Sequence, residues 1–158
     1  MSGGATAVSN GKAFEEKYDF QKLLKKHGYD LSKFEFHNQN DFNAFMKKHK
    51  FDMTEHFGKK FLPDEAFIYS NHLYIIEKKF QGGGGSVDEK IQTGPYKKLV
   101  YETCANHLGL NGVTYIFLLG EYFSQNKFTK HQIPYSWECG IPVYIEGFPF
   151  EEYFKEAA

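Results

Sequence analysis

Asp64, Glu77 and Lys79 are the residues of this chain whose types and spacing suit chemistry. Ala66–Tyr69 and Leu73–Phe80 are apolar and rich in β-formers, and Ser70-Asn71-His72 between them has hairpin chemistry. Side chains alternate faces along a strand, so Glu77 and Lys79 project to one side and Lys78 to the other. Asp64 enters the neighbouring strand, which puts its carboxylate within reach of Glu77, while Glu65 falls on the opposite pleat face. Two carboxylates, a backbone carbonyl and waters make an oxygen-rich site that suits Mg²⁺, with Mn²⁺ as a substitute. A metal held there polarises a phosphoryl oxygen and lowers the pKa of a bound water. Lys79 then orients that water or stabilises the charge that develops on phosphorus.

The elements that must position these groups can be read along the chain. Residues 1–10 are small and polar and read as a flexible arm, with Ser9 or Asn10 available as a helix cap. Lys12–His27 has helical spacing at Phe14, Tyr18, Leu23 and Leu24, and Gly28 follows as a stop. The segment 29–61 reads as an insertion. It holds a short strand at Phe34-Glu35-Phe36 and a helix over Asp41–Lys50 capped by Asp41. Lys47, Lys48 and Lys50 on that helix read as a solvated face, or alternatively as phosphate contacts.

Adjacent Ile75 and Ile76 imply a strand covered on both faces. After the glycine run Gly82–Gly85, Ser86 or Asp88 opens a helix that Gly94-Pro95 kinks or breaks, and its second piece ends at Gly109. Val113–Leu119 reads as a buried strand. Phe123–Gln132 reads as loop, Pro134–Ile145 as short strand fragments, and Phe148–Lys155 as a terminal helix. The order gives an α/β layout with a mixed sheet.

Bulk composition narrows the function classes. At 158 residues with 41% apolar and 18% aromatic content, the chain can build one domain with a substantial core. A formal net charge of −1 argues against a uniformly basic surface. The chain has no arginine, so bidentate arginine–guanine readout is excluded and base contacts would fall to Lys, Asn, Gln, Ser, Thr or backbone groups. Cys104 and Cys139 are too far apart in sequence to read as a metal-ligand pair or a disulfide framework, and they fit a reducing, cytoplasmic setting. No segment has the pattern of a signal peptide or a membrane span. The seven histidines are scattered and lack zinc-site spacing. The glycine run has no Gly-Lys-Ser/Thr after it, which argues against a nucleotide cofactor; it reads as a linker, or as backbone that approaches phosphate closely.

Pro63-Asp64 followed by Glu77-Lys78-Lys79 resembles the signature of the PD-(D/E)XK nuclease superfamily. Gln81, Gly84-Gly85-Ser86-Val87-Asp88-Glu89-Lys90 and Pro95-Tyr96-Lys97 are similar to small restriction-endonuclease-like members, and Gly11-Lys12-Ala13-Phe14-Glu15 resembles the first helix of the family. The resemblance covers roughly Gly11 to Leu119. It implies a restriction-endonuclease-like core, a central mixed β-sheet flanked by helices, forming a single domain over residues 11–158. Asp64 and Glu77 would be metal ligands and Lys79 the catalytic lysine, with Glu15, or Glu16 on the neighbouring helix face, as accessory ligand. Gln81 would contact phosphate or position water, or else simply end the strand. Ser86, Lys90 and Lys97 would lie along DNA.

The activity implied is Mg²⁺-dependent endonucleolytic hydrolysis of double-stranded DNA, of the type II restriction kind, by a homodimer reading a symmetric site. Specificity or dimer contacts are then expected in 29–61 and 120–158. The alternatives are a structure-selective junction-resolving or repair nuclease, and a non-catalytic DNA-binding or interaction module on the same fold.

Overall fold

The computed structural model describes residues 3–81, 88–125, 127 and 129–155. Two helices open the chain, α1 (Gly3–Lys17) and α2 (Phe20–Lys26). Strand β1 (Phe34–Phe36), helix α3 (Asn40–Lys48) and the short helix α4 (Met53–Phe57) follow. The hairpin is β2 (Glu65–Tyr69) and β3 (His72–Lys79), and α5 (Gly94–His107) crosses over to β4 (Val113–Leu119). The chain closes with α6 (Tyr122–Gln125), α7 (Thr129–Glu138), β5 (Val143–Ile145) and α8 (Phe150–Tyr153).

The five strands form one mixed sheet in the order β1-β2-β3-β4-β5. The pairs β1–β2 and β2–β3 are antiparallel, and β3–β4 and β4–β5 are parallel. This is the α/β class with a central mixed sheet expected from the sequence. Ser70 and Asn71 turn the hairpin with φ of 51° and 60°, the left-handed pair that matches the twist of the strands. Ile75 and Ile76 are both fully buried, so both sheet faces are covered. One face packs Leu73, Ile75, Tyr115, Phe117 and Leu119 under α3 and α5. The other packs Phe67, Ile76, Ile116 and Leu118 under α1, α2 and the C-terminal aromatics Phe150 and Phe154.

Several element boundaries differ from the sequence reading, each for a local reason. The helix starts at Gly3, so residues 3–10 belong to α1 rather than to an arm. The single helix expected over Lys12–His27 is broken at Asp19, whose carboxylate caps α2 by accepting from the Lys22 N–H at 3.0 Å. Gly28 stops α2 with φ of 82°, as expected. Helix α3 starts one residue before Asp41, which does not cap it; its carboxylate goes to His37 Nδ1 at 2.9 Å instead. Pro134 lies inside α7 rather than in a strand, and only Val143–Ile145 of the expected strand fragments pairs with the sheet. The helix is held at its end by the Ser136 hydroxyl, which donates to the Ile141 carbonyl at 2.9 Å, and by the Cys139 N–H on the Tyr135 carbonyl at 3.0 Å. Packing and side-chain bonds override the helix-breaking tendency of proline here. The glycine run, Ser86 and Val87 lie outside the described residues. Beyond them a 3-10 segment, Asp88–Thr93, leads into α5, with Pro95 in its first turn.

Candidate active site

The β2–β3 ladder ends at Glu65 opposite Ile76. Continuing that register by one step sets Asp64 directly across from Glu77, on the same face. At this step the Asp64 side chain takes over from the ladder, and its Oδ2 accepts the Lys78 N–H at 2.8 Å. Gln39 Nε2 donates to Oδ1 at 3.2 Å, so both oxygens of Asp64 are held. Gln39 sits ahead of α3 with φ of 55° and ψ of −127°, a conformation that costs a non-glycine residue about 1–3 kcal/mol. Its own N–H is bonded to the Pro63 carbonyl at 2.8 Å, which fixes the side chain over Asp64.

Glu77 is 5% exposed and within hydrogen-bond range of Asp64. Burial pushes its carboxyl up to about 7; the Asp64 charge adds to the rise, and Lys79 and Lys97 oppose it. Lys79 Nζ lies 3.8 Å from Glu77 Oε2, two residues along β3 on the same face. The structure therefore brings Asp64, Glu77 and Lys79 together.

Lys97, expected along DNA, sits in the first turns of α5 with its ammonium in the field of the acid pair. Burial lowers its pKa against the pull of Glu77, and the charges of Lys79 and Lys59 lower it further. Lys59 is exposed and lies over the Phe61 ring, 5.0 Å from its centroid. The charges of Lys79 and Lys97 thus act on Glu77, and Lys59 acts on Lys97 from further out. Below them stack Tyr101 and Tyr115, ring centroids 5.8 Å apart. Their phenols are pushed well up by burial first and by Glu77 second. The Tyr115 hydroxyl is buried with no hydrogen-bond partner among the described residues. Lys59, Tyr101, Tyr115 and Gln39 were not singled out from sequence. Tyr101 follows Lys97 by four residues on one helix face, which is the signal that carried it.

The other expected residues lie elsewhere. Glu15 is exposed on α1, and its main-chain carbonyl accepts from Lys78 Nζ at 3.2 Å, on the sheet face opposite Glu77. Glu16 is exposed on the same helix. Among the described residues no three of His, Cys, Asp and Glu are grouped so as to hold a metal ion, so neither glutamate joins the acid pair as a third ligand. Gln81 is buried, but β3 ends at Lys79, so strand alternation no longer places it beside Lys79. Lys90 is exposed in the 3-10 segment before α5, where its carbonyl accepts from the Thr93 hydroxyl at 2.7 Å. Ser86 and the glycine run lie outside the described residues. Lys47 and Lys48 end α3 and Lys50 follows it, where the His49 carbonyl meets His107 at the far end of α5 from Lys97.

Two carboxylates fit a hard divalent ion. Mg²⁺ keeps several waters and takes one or two protein carboxylates. The buried like-charge pair also gains from a cation that favours its ionised form. Cys104 is buried with its thiol pushed up to about 12, which removes it as a nucleophile. No helix among the described residues is long and apolar enough to cross a membrane. The chain matches no known protein family, no curated protein and no solved structure.

Proposed function

We propose that the protein is a metal-dependent DNA endonuclease. The observation that carries this reading is the cross-strand pair Asp64–Glu77 with Lys79 3.8 Å from Glu77 on the same sheet face. Asp64 and Glu77 would hold a divalent ion, which would supply Lewis-acid polarisation of a phosphoryl oxygen and a water of lowered pKa. Asp64 is fixed by Gln39 and the Lys78 N–H and presents its carboxylate to Glu77. Lys79 stabilises charge on the reacting phosphate, and Lys59 and Lys97 draw a phosphodiester toward the acids. The Lys79 and Lys97 charges beside the acids favour a phosphate substrate over a neutral one. Within this class we favour a type II restriction activity on double-stranded DNA, with a homodimer cutting both strands. Incubation of plasmid and phage DNA with Mg²⁺, followed by end mapping, tests the reading. Discrete fragments support it. Cleavage only of branched or nicked duplexes points to a structure-selective nuclease, and DNA binding without cleavage in Mg²⁺ or Mn²⁺ overturns it.

A further inference from the structure

The residues next to the acid pair in sequence are also charged, and they face the other way. Glu65 follows Asp64 and Lys78 follows Glu77. On the reverse face of the sheet Lys78 Nζ meets Glu65 Oε1 at 2.9 Å, with the two side chains only 6% and 3% exposed. A buried ion pair adds little stability over an apolar pair of similar volume. What this one does is connect elements. Glu65 Oε1 also accepts the Phe20 N–H at 3.0 Å, and Oε2 accepts Asn38 Nδ2 at 2.6 Å. Lys78 Nζ also donates to the Glu15 carbonyl. The end of α1, the start of α2, the turn before α3 and both hairpin strands therefore meet at one buried point behind the acids.

That point is joined to the front face by main chain. The N–H of Lys78 itself donates to Asp64 Oδ2, and Gln39, the residue after Asn38, donates to Asp64 Oδ1. Asn38 is pinned a second time, its Oδ1 accepting the Ala66 N–H at 2.8 Å. The left-handed φ of Gln39 lets Asn38 bond behind β2 while Gln39 reaches over its front.

We propose that Glu65 and Lys78 are positioning residues whose buried ion pair fixes, through the Lys78 main chain and the Asn38-Gln39 turn, the direction of the Asp64 carboxylate relative to Glu77. This rests on the acid pair being the acting site. The pair holds two strands and a turn at one separation, and a metal site tolerates little error in that separation.

The test is Glu65→Gln combined with Lys78→Met, which removes both charges and leaves no buried ion unpaired. Hydrogen-exchange protection at the position-78 amide reports the bond to Asp64. It falls by roughly two- to tenfold, the equivalent of one net hydrogen bond. The amides of Leu73 and Phe117, bonded to the Gly112 and Pro142 carbonyls, keep theirs. In Mg²⁺-dependent cleavage kcat drops by roughly 10–100-fold with KM nearly unchanged, as for a lost alignment. Lys78→Arg, which retains the cation, restores part of both. Unchanged position-78 protection in the double variant overturns the proposal. If the double variant does not fold, Glu65→Asp, which withdraws the carboxylate by one methylene, is read by the same amide and the same criterion. A wild-type protein that cuts no DNA, combined with loss of protection at position 78, removes the nuclease reading and leaves the positioning intact.

Discussion

Buried Glu77 faces both the Asp64 carboxylate and the Lys79 ammonium. Its carboxyl is raised from 4.5 to about 7, first by burial and then by Asp64. Between those values the folded chain holds more protons than the unfolded one, so stability falls as pH rises through this window. The cost above the window is on the order of 3 kcal/mol at 1.36 kcal/mol per pH unit. Glu77→Gln removes that ionisation. In urea unfolding, its stability gain over the parent is therefore expected to be greater at about pH 8 than at about pH 4, by up to ~3 kcal/mol. In the proposed metal site the same variant would lack one of the two carboxylates, so Mn²⁺ is expected to raise the melting temperature of the parent and not of the variant. In the parent, the metal-induced rise is larger above the window, where the metal no longer displaces a proton. Equal pH profiles for parent and variant would contradict this account of Glu77.

At the scale of elements, the site is made by an ended ladder and a closely packed helix. A Cβ on Gly94 would lie 2.9 Å from the Phe117 ring and 3.1 Å from Ile141, so the first turn of α5 sits against the sheet with no room for a side chain. Gly94→Ala pushes that turn outward and carries Lys97 away from the acids. Thermal or urea unfolding is expected to show a loss of about 1–3 kcal/mol, with weaker binding of DNA, at unchanged overall helix content. The hairpin, α5 and β4 were legible in the sequence, because Ser70-Asn71, Gly94-Pro95 and the apolar run Val113–Leu119 are local signals. The break at Asp19 was not, since Phe14, Tyr18, Leu23 and Leu24 keep helical spacing across it. Nor was α7, where Pro134 is a strong local signal overridden by packing. Of the site, the three residues of the acid-lysine cluster were legible from strand alternation. The part played by Gln39 was not, because a side chain arriving from a left-handed turn 25 residues upstream leaves no spacing to read. Glu15 failed as a ligand because α1 packs on the opposite sheet face.

The described residues form two aromatic-rich cores on either side of one sheet, with the acids at the edge of one of them. Phe150 and Phe154, near the end of the chain, are part of the other core. Phe154 is fully buried and packs against Phe34, Phe67 and Tyr74. Phe154→Ala is expected to cost roughly 3–5 kcal/mol in denaturant unfolding. That core backs β2 and β3 from the face away from Glu77, so the variant weakens the fold while leaving each site residue in place. A much smaller loss would mean that the C-terminal segment is not docked there. With a near-neutral net charge and lysines at 59, 79 and 97, the proposed attraction for DNA would be local to the site. Mg²⁺-dependent cleavage of plasmid DNA by the parent, Glu77→Gln and Lys79→Ala side by side is the most direct measurement of the central claim. The account predicts cleavage by the parent alone, abolished by chelation of the metal. Cleavage retained by either variant, or no metal-dependent cleavage by the parent, would contradict it.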